Sequence, residues 1–300
     1  MFAITDISKG VANGDFLLLA KTISQIENKV EGVDAFLAAL VPSAIPVIGV
    51  TGPPGAGKST LISALIGGYV KEGKKVAILS VDPSSPFHKG AILGDRIRMK
   101  DWYLNPNVFI RSLASRGHLG GLTSSMIEHT TLLQSVGFDI IVLETVGVGQ
   151  SEVEVASLAD TTIVVLVPEA GDEVQMMKSG LMEVADIFVV NKSDRPDAQT
   201  FANHIQQMLM ESGDETADTK VINTIASQGF GIQALMDSII AHHDKVIKSG
   251  SAMKLVMAKV VQLIVAQKMK QVDWEKIEQQ LCEEIKKPQF NIFKFAQSFY

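Results

Sequence analysis

Short runs of hydrophobic residues alternate with amphipathic stretches along the middle of the chain. The runs are rich in valine and isoleucine, and they predict strands at Val47–Val50, Val76–Val81, Val108–Ile110, Ile140–Leu143, Ile163–Val167, Ile187–Val190 and Val221–Ile222. Strands without a polar face are typical of parallel sheets that helices cover on both sides. Hydrophobic residues at helical spacing predict helices at Ser59–Tyr69, Ser124–Val136, Val174–Leu181, Thr200–Met210 and Ile232–Ala241. This alternation predicts an α/β domain with a doubly wound, mostly parallel sheet.

The two ends of the chain lack strand patterns. Residues 1–42 have a helical period, which predicts an N-terminal helical extension before an α/β domain at residues 43–245. Residues 246–300 predict a helical arm, with helices at Leu255–Met269 and Trp274–Ile285. The first of these is apolar over too wide a face for a surface helix. Its partner could be a second copy of the chain in a homodimer or the α/β domain itself.

Composition excludes several classes of protein. The 27 basic and 33 acidic residues give a net charge of −6, which disfavours binding to nucleic acid. The only cysteine, Cys282, excludes an internal disulfide and a thiolate metal site within one chain. No hydrophobic run approaches the roughly 20 residues that span a bilayer, and the N-terminus does not resemble a secretory signal. We therefore expect a cytoplasmic protein that binds no membrane.

A phosphate-binding loop follows the first predicted strand. The pattern G-x-x-x-x-G-K-[ST] is matched by Gly52, Pro53, Pro54, Gly55, Ala56, Gly57, Lys58 and Ser59, and Thr60 continues into the next helix. Glycines let several backbone N–H groups point at one anion, and the helix N-terminus adds partial positive charge. Lys58 is expected to reach the β- and γ-phosphates, and the Ser59 hydroxyl is expected to bind Mg²⁺.

A second motif identifies the base. Asn191, Lys192 and Asp194 form N-K-x-D directly after the strand Ile187–Val190, which resembles the guanine-specificity motif of GTPases. A carboxylate can accept hydrogen bonds from the ring N1–H and the exocyclic amine of guanine, a donor pair that adenine lacks. The Lys192 stem can cover the base plane. We therefore predict GTP and GDP as ligands.

Acidic residues at strand ends are candidate metal ligands. Glu144 follows the strand Ile140–Leu143, where an acidic residue can hold Mg²⁺ directly or through water. Asp82 ends another strand and Asp95 lies in the loop after it. Gly147 can present its N–H to the γ-phosphate, so this loop should respond to hydrolysis.

An adjacent pair of histidines does not predict a metal site. His242 and His243 are adjacent, but no third ligand is visible near them in the sequence. A solvent-exposed helix end is the better interpretation of this pair.

Longer strings resemble the MeaB/ArgK family of P-loop GTPases. The segments 80–86 and 90–99 look like the first switch of that family, and Arg111–Leu122 is similar to its next signature. Glu144–Glu152 resembles the second switch, which accounts for a glutamate where most GTPases have aspartate. Gly171–Lys178 resembles the third switch. The resemblance covers roughly residues 15–245.

The resemblance implies a function. Members of this family are homodimers, so residues 246–300 are expected to form a dimerisation arm. They act as chaperones of adenosylcobalamin-dependent acyl-CoA mutases, mainly methylmalonyl-CoA mutase. They use GTP to gate cofactor loading and to protect the mutase, which in turn accelerates their slow hydrolysis. An older family label, a kinase of lysine/arginine/ornithine transport, is one alternative, and a metal-insertion GTPase of the same broad fold is another.

Several residues are candidates for catalysis, for coupling to the mutase and for contact with guanine. Asp82 is the candidate to orient the attacking water, and Gln150 is a second candidate that could instead cap the following helix. Glu173 and Lys178 in the third switch are expected to couple hydrolysis to the mutase. The guanine-contact loop, usually Ser-Ala in the family, reads Thr-Ile-Ala-Ser here, with Ile225, Ala226 and Ser227 as the predicted contacts.

Overall fold

The computed structural model describes residues 1–82, 99–114, 121–145, 158–168, 181–211, 219–287 and 289–299. These residues form one seven-stranded sheet in the order β3-β2-β4-β1-β5-β6-β7, and every pair of neighbouring strands is parallel. The strands are β1 (Val47–Thr51), β2 (Val76–Asp82), β3 (Val108–Ala114), β4 (Ile140–Thr145), β5 (Thr161–Leu166), β6 (Ile187–Asn191) and β7 (Lys220–Thr224). The predicted fold class is therefore confirmed, and each predicted strand is present.

Helices cover the sheet and extend both ends of the chain. They are α1 (Ile4–Ala12), α2 (Leu17–Glu27), α3 (Val33–Ala38), α4 (Lys58–Lys71), α5 (Gly121–Ser135), α6 (Leu181–Val184), α7 (Ala198–Glu211), α8 (Ile232–Ser249), α9 (Ser251–Lys270), α10 (Trp274–Glu284) and α11 (Ile292–Gln297). Short 3₁₀ turns lie at Lys100–Trp102 and Ala226–Gln228. The helix predicted at Val174–Leu181 lies outside the described residues except for its last position, which begins α6.

Alternate residues of each strand pack against different helices. Ile78 and Val142 face α4 and α8, where Leu65 and Ile239 join them in one buried cluster. The neighbouring residues on the same strands, such as Leu79 and Ile141, point to the other side of the sheet. There they pack against α2 and α5 in a second buried cluster. Because both faces of the central strands are buried, these strands have no polar face, which is the pattern seen in the sequence.

The strand order places a crevice at the end of β1. From β1 the chain crosses to β2, β3 and β4 on one side and later to β5, β6 and β7 on the other side. Ligands of open α/β sheets bind at the carboxyl ends of the strands where the order reverses in this way. The phosphate-binding loop follows β1, so it lies at this point.

The N-terminal helices are attached to the sheet by aromatic packing and an ion pair. The ring of Phe16 lies 5.5 Å from that of Phe109 and 6.0 Å from that of Phe138. Arg111 on β3 pairs with Glu27 on α2 at 2.5 Å. The limits 1–42, 43–245 and 246–300 remain predictions, because nothing in the structure tests them as domain boundaries.

The prediction that His242 and His243 form a solvent-exposed helix end is wrong. Both lie in α8, where Nδ1 of His242 is 2.9 Å from the Thr161 hydroxyl and its Nε2 is 3.3 Å from Asp186. His243 is only 7% exposed, and its Nδ1 lies 3.7 Å from Asp160. The sequence could not reveal these contacts, because the two carboxylates lie directly before β5 and β6, more than 50 residues earlier in the chain.

The helix α9 exposes most of its apolar side chains. It contacts α5 and α8, yet none of its side chains that the structure describes is buried. The exposed hydrophobic residues include Met253, Val256, Met257, Val260, Val261, Leu263, Ile264 and Val265. Packing on the α/β domain therefore does not account for the width of this apolar face.

The longest helices in the described part of the chain are α8 and α9. No single helix there is long and apolar enough to cross a bilayer, although α8 and α9 pass by length and composition as a pair bent by 84°. The localisation inferred from the sequence stays a prediction.

Candidate nucleotide-binding site

The loop between β1 and α4 requires glycine at two positions. Gly52 has φ +138°, and a Cβ atom there would lie 2.2 Å from the backbone oxygen of Val165. Gly57 has φ +89°, and a Cβ atom there would lie 2.5 Å from Nδ2 of Asn191. The loop therefore packs so closely against the ends of β5 and β6 that only glycine fits at these two positions.

The lysine of the phosphate-binding motif lies at the start of α4. Lys58 is 8% exposed, and its Nζ donates to the carbonyl oxygens of Gly52 at 2.6 Å and Pro53 at 3.1 Å. The ammonium is therefore held at the loop itself. The first N–H groups of a helix lack intrahelical partners, so α4 adds donors and partial positive charge at the same place.

Beside the loop, a buried carboxylate is held by two hydroxyl groups. Ser59 donates to Oε1 of Glu144 at 2.8 Å, and Ser80 donates to Oε2 of the same residue at 3.0 Å. All three residues are at most 5% exposed. A serine hydroxyl and a carboxylate are hard oxygen donors of the kind that Mg²⁺ prefers, and Mg²⁺ needs few protein ligands when phosphates supply the others. The residues present therefore fit this metal.

Larger metal clusters are not found in the described residues. No group of three or more His, Cys, Asp or Glu side chains there could hold a metal ion. Ser59 and Glu144 offer one hydroxyl and one carboxylate, a pair that fits a metal bound together with a nucleotide.

Asn191 joins the phosphate-binding loop to the loop that follows β7. Its Nδ2 donates to the carbonyl of Ala56 at 2.9 Å, and its Oδ1 accepts from the Thr224 hydroxyl and the Ala226 N–H, both at 3.1 Å. Lys192 has φ +57°, and its Nζ donates to the carbonyl of Gly55 at 2.8 Å. The motif after β6 is thereby attached to the phosphate-binding loop.

An open cavity lies beside this network. Its volume is about 270 Å³, and it is lined by Gly57, Thr60, Asn191, Lys192, Asp194, Arg195, Ile225, Ala226 and Ser227. The predicted base-contacting residues are all among these. The cavity adjoins the phosphate-binding loop, since Gly57 and Thr60 belong to the loop and the helix that follows it.

The structure brings most of the predicted site together. The loop from Gly52 to Thr60, the N-K-x-D residues, the 225–227 loop and Glu144 meet at the carboxyl ends of β1, β4 and β6. The backbone of Asp82 ends β2, but its side chain lies outside the described set. The remaining candidates lie outside the described residues and stay predictions: Asp95, Gly147, Gln150, Glu173 and Lys178.

Two residues of the site were missed by sequence reasoning. Ser80 contacts Glu144, and Arg195 lines the base cavity. A serine inside the otherwise hydrophobic β2 was a usable signal, because it lies near the carboxyl end of the strand. Arg195 directly follows the N-K-x-D motif, which offered a weaker signal.

The chain matches the family model described as "Methylmalonyl Co-A mutase-associated GTPase MeaB" over residues 19–283. A putative GTPase of Pyrococcus abyssi is 41% identical over 253 residues, which are 82% of this chain and 78% of the relative. The GTPase ArgK of Escherichia coli is 37% identical over 249 residues, which are 79% of this chain and 75% of ArgK.

A solved structure described as an LAO/AO transport system kinase is similar over nearly the whole chain. It superposes with a TM-score of 0.70 at 25% sequence identity, and the match covers 99% of this chain and 96% of that one. The fold, the site and the similar sequences therefore agree with the resemblance noted from the motifs.

Proposed function

The chain belongs to the methylmalonyl Co-A mutase-associated GTPase family MeaB and is a GTPase, and we propose on that premise that it is a chaperone of an adenosylcobalamin-dependent acyl-CoA mutase, with methylmalonyl-CoA mutase as the first candidate. The proposed action is to gate cofactor loading and to protect the mutase from inactivation. The family match over residues 19–283 is the observation on which this proposal depends.

Guanine nucleotides are the ligands that the site supports best. Asn191 joins the base pocket to the phosphate-binding loop, and Asp194 lines the cavity beside it. A carboxylate there would accept two hydrogen bonds from guanine, whereas adenine would leave it unpaired. Lys58 would bind and orient the β- and γ-phosphates, because its ammonium already lies at the loop that would hold them.

Mg²⁺ is the proposed cofactor. Ser59 and Glu144 would hold it, with Asp82 and Asp95 as further candidate ligands, and when bound it would neutralise charge that develops on the phosphates. Asp82 is proposed to orient the attacking water, and Gln150 is a second candidate for that role. We propose slow hydrolysis by the protein alone, with faster turnover when a partner completes the site.

The proposed partners are the mutase and a second copy of the chain. Glu173 and Lys178 would couple hydrolysis to the mutase. The apolar face of α9 would form the homodimer interface, which is supported by the unusual exposure of its valine and isoleucine side chains.

The test is GTP hydrolysis by the purified protein, measured with and without an adenosylcobalamin-dependent mutase from the same source. Slow turnover that rises at least about tenfold with the mutase would support the chaperone function. Turnover that does not respond to the mutase would contradict it and leave a GTPase with another partner.

A transport-linked kinase is the second candidate, favoured only by the description of the similar solved structure. The same assay with ATP separates the two functions, because a preference for ATP would contradict the proposed guanine pocket. A metal-insertion GTPase is less well supported, since the described residues contain no cluster that could hold a metal cargo.

A further inference from the structure

We propose that Ser80 is a positioning residue, which holds the carboxylate of Glu144 in the orientation needed to bind Mg²⁺ together with Ser59. This inference rests on the metal role given to Ser59 and Glu144 in the proposed function. It adds a residue that lies outside the phosphate-binding loop and outside the metal ligands themselves.

The strand register brings Ser80 to Glu144. The two residues are direct partners on the parallel strands β2 and β4, so their side chains leave the sheet on the same face. That face is the one covered by α4, where Ser59 lies in the first turn. The Ser80 hydroxyl approaches Oε2 from the sheet at 3.0 Å, and the Ser59 hydroxyl approaches Oε1 from the helix at 2.8 Å.

A glutamate at this strand end needs such a contact more than an aspartate would. Its side chain has one more rotatable bond, and each rotatable bond that stays free lowers the population of the binding geometry. With Glu144 only 3% exposed, loss of the Ser80 hydroxyl would remove a donor from a buried carboxylate oxygen. The carboxylate would then rotate toward another donor.

A purely structural role for the same hydroxyl predicts a different result. If the bond only satisfied two buried polar groups, its removal would lower the stability of the protein without the nucleotide. A positioning role predicts in addition a weaker response to Mg²⁺. Residues that orient metal ligands typically change metal affinity by about 10-fold or more when they are replaced.

The experiment measures how Mg²⁺ slows the release of a fluorescent GDP analogue from the purified full-length chain. The variants are Ser80→Ala, which lacks the hydroxyl, and Ser80→Thr, which retains it. Ser112→Ala is the matched control, because Ser112 is the partner of Ser80 on the opposite neighbouring strand, β3, and is half-buried. Melting temperatures of the metal-free proteins are measured in parallel.

We expect Ser80→Ala to need about 10-fold more Mg²⁺ for half of the maximal effect. Its GDP release in EDTA should stay within about twofold of the wild type, since the metal is then absent. Ser80→Thr should restore the Mg²⁺ response even where its extra methyl lowers the melting temperature, and Ser112→Ala should resemble the wild type.

Three results would overturn the inference. A wild type whose GDP release ignores Mg²⁺ would remove the metal role in the proposed function and the role of Ser80 with it. A wild type that responds to Mg²⁺, with Ser80→Ala responding identically, would remove the role of Ser80 alone. If Ser80→Ala does not fold, Ser80→Cys replaces it, since its thiol is a weak donor, and a wild-type Mg²⁺ response in that variant would also contradict the inference.

Discussion

At the scale of single residues, Asp194 is the side chain proposed to select the base, because it lines the cavity beside the phosphate-binding loop. The Asp194→Asn variant replaces an acceptor by a group that also donates, so it would lose a hydrogen bond to guanine. We expect GDP affinity to fall about 10- to 100-fold, the effect of hydrogen bonds to a charged group. Because the new amide can donate to the 2-oxo group of xanthine, affinity for the xanthosine diphosphate should rise. Titration of both nucleotides by calorimetry checks this.

The control for that variant is Asp197→Asn. Asp197 lies three residues further along, is exposed and has φ +64°, a backbone conformation that asparagine tolerates. Its replacement should leave both affinities unchanged. An Asp194→Asn protein that kept its preference for guanine would show that another group selects the base.

A buried histidine makes the stability of the protein depend on pH. His129 on α5 is fully buried beside Ser125, and burial is the main cause that lowers its pKa, while Glu27 acts in the opposite direction and Arg111 in the same one. The folded protein therefore keeps this ring neutral, whereas the unfolded chain takes up a proton below about pH 6.5. Stability should be fully present above that pH and should fall as the pH drops through it.

We expect the free energy of unfolding to fall by about 1 kcal/mol more between pH 7.5 and 5.5 in the wild type than in His129→Gln. Urea denaturation at both pH values measures this difference. The exposed His204 provides the control, since His204→Gln should retain the wild-type pH dependence. Equal slopes in the wild type and His129→Gln would show that this ring does not contribute.

At the scale of elements, a half-buried carboxylate connects α9 electrostatically to the sheet. Asp160 precedes β5 and accepts the Val47 N–H at the start of β1 at 3.1 Å. Burial raises the pKa of Asp160, and the nearby Lys259 of α9 partly offsets this; burial likewise lowers the pKa of Lys259. Each charge thus stabilises the other, so removal of one alone leaves its half-buried partner with less compensation.

The variants Asp160→Asn and Lys259→Met should each destabilise the protein, and the double variant should lose less stability than the sum of the two. The expected coupling is about 1 kcal/mol, the ordinary size for groups that interact in one charge network. Chemical denaturation of the four proteins gives this value. Lys254→Met, an exposed lysine of the same helix, should show no coupling to Asp160→Asn. Strict additivity with Lys259→Met would mean that α9 is not held through this pair.

The elements themselves were largely predictable. Buried parallel strands have uninterrupted Val- and Ile-rich runs, so β1 and β6 could be found from the sequence to within a residue. The helix α11 was not predicted, because its six residues are too few to show a helical period. The burial of the α8 histidines could not be found locally, since it depends on where the start of β5 and the residues before β6 lie.

At the scale of the whole molecule, the exposed side chains of α9 bear on the oligomeric state. An exposed apolar surface of this kind usually marks an interface, and a homodimer places the same face on both copies. Val261→Glu introduces a charge at its half-exposed centre, so we expect a protein that is dimeric before the substitution to become monomeric. Light scattering after size-exclusion chromatography measures the mass.

Met210→Glu is the matched control for that substitution. Met210 is 73% exposed near the end of α7, a different helix from α9, so a charge there should leave the mass unchanged. A Val261→Glu protein of unchanged mass would place the dimer interface elsewhere. A monomeric wild type would contradict the proposed homodimer directly.

The sequence by itself determined the class of fold, the phosphate-binding loop, the base motif and the family. Each of these depends on residues that are close together in the sequence, either through the period of hydrophobic positions or through the spacing of a motif. The tertiary structure alone decided that Ser80 contacts Glu144, that His243 is buried beside Asp160 and that α9 leaves its apolar face exposed. The first two contacts join residues 64 or more positions apart, and strand register brings Ser80 to Glu144. The exposure of α9 depends on which helix covers which face of the sheet. Neither kind of information is present in a local pattern of residues.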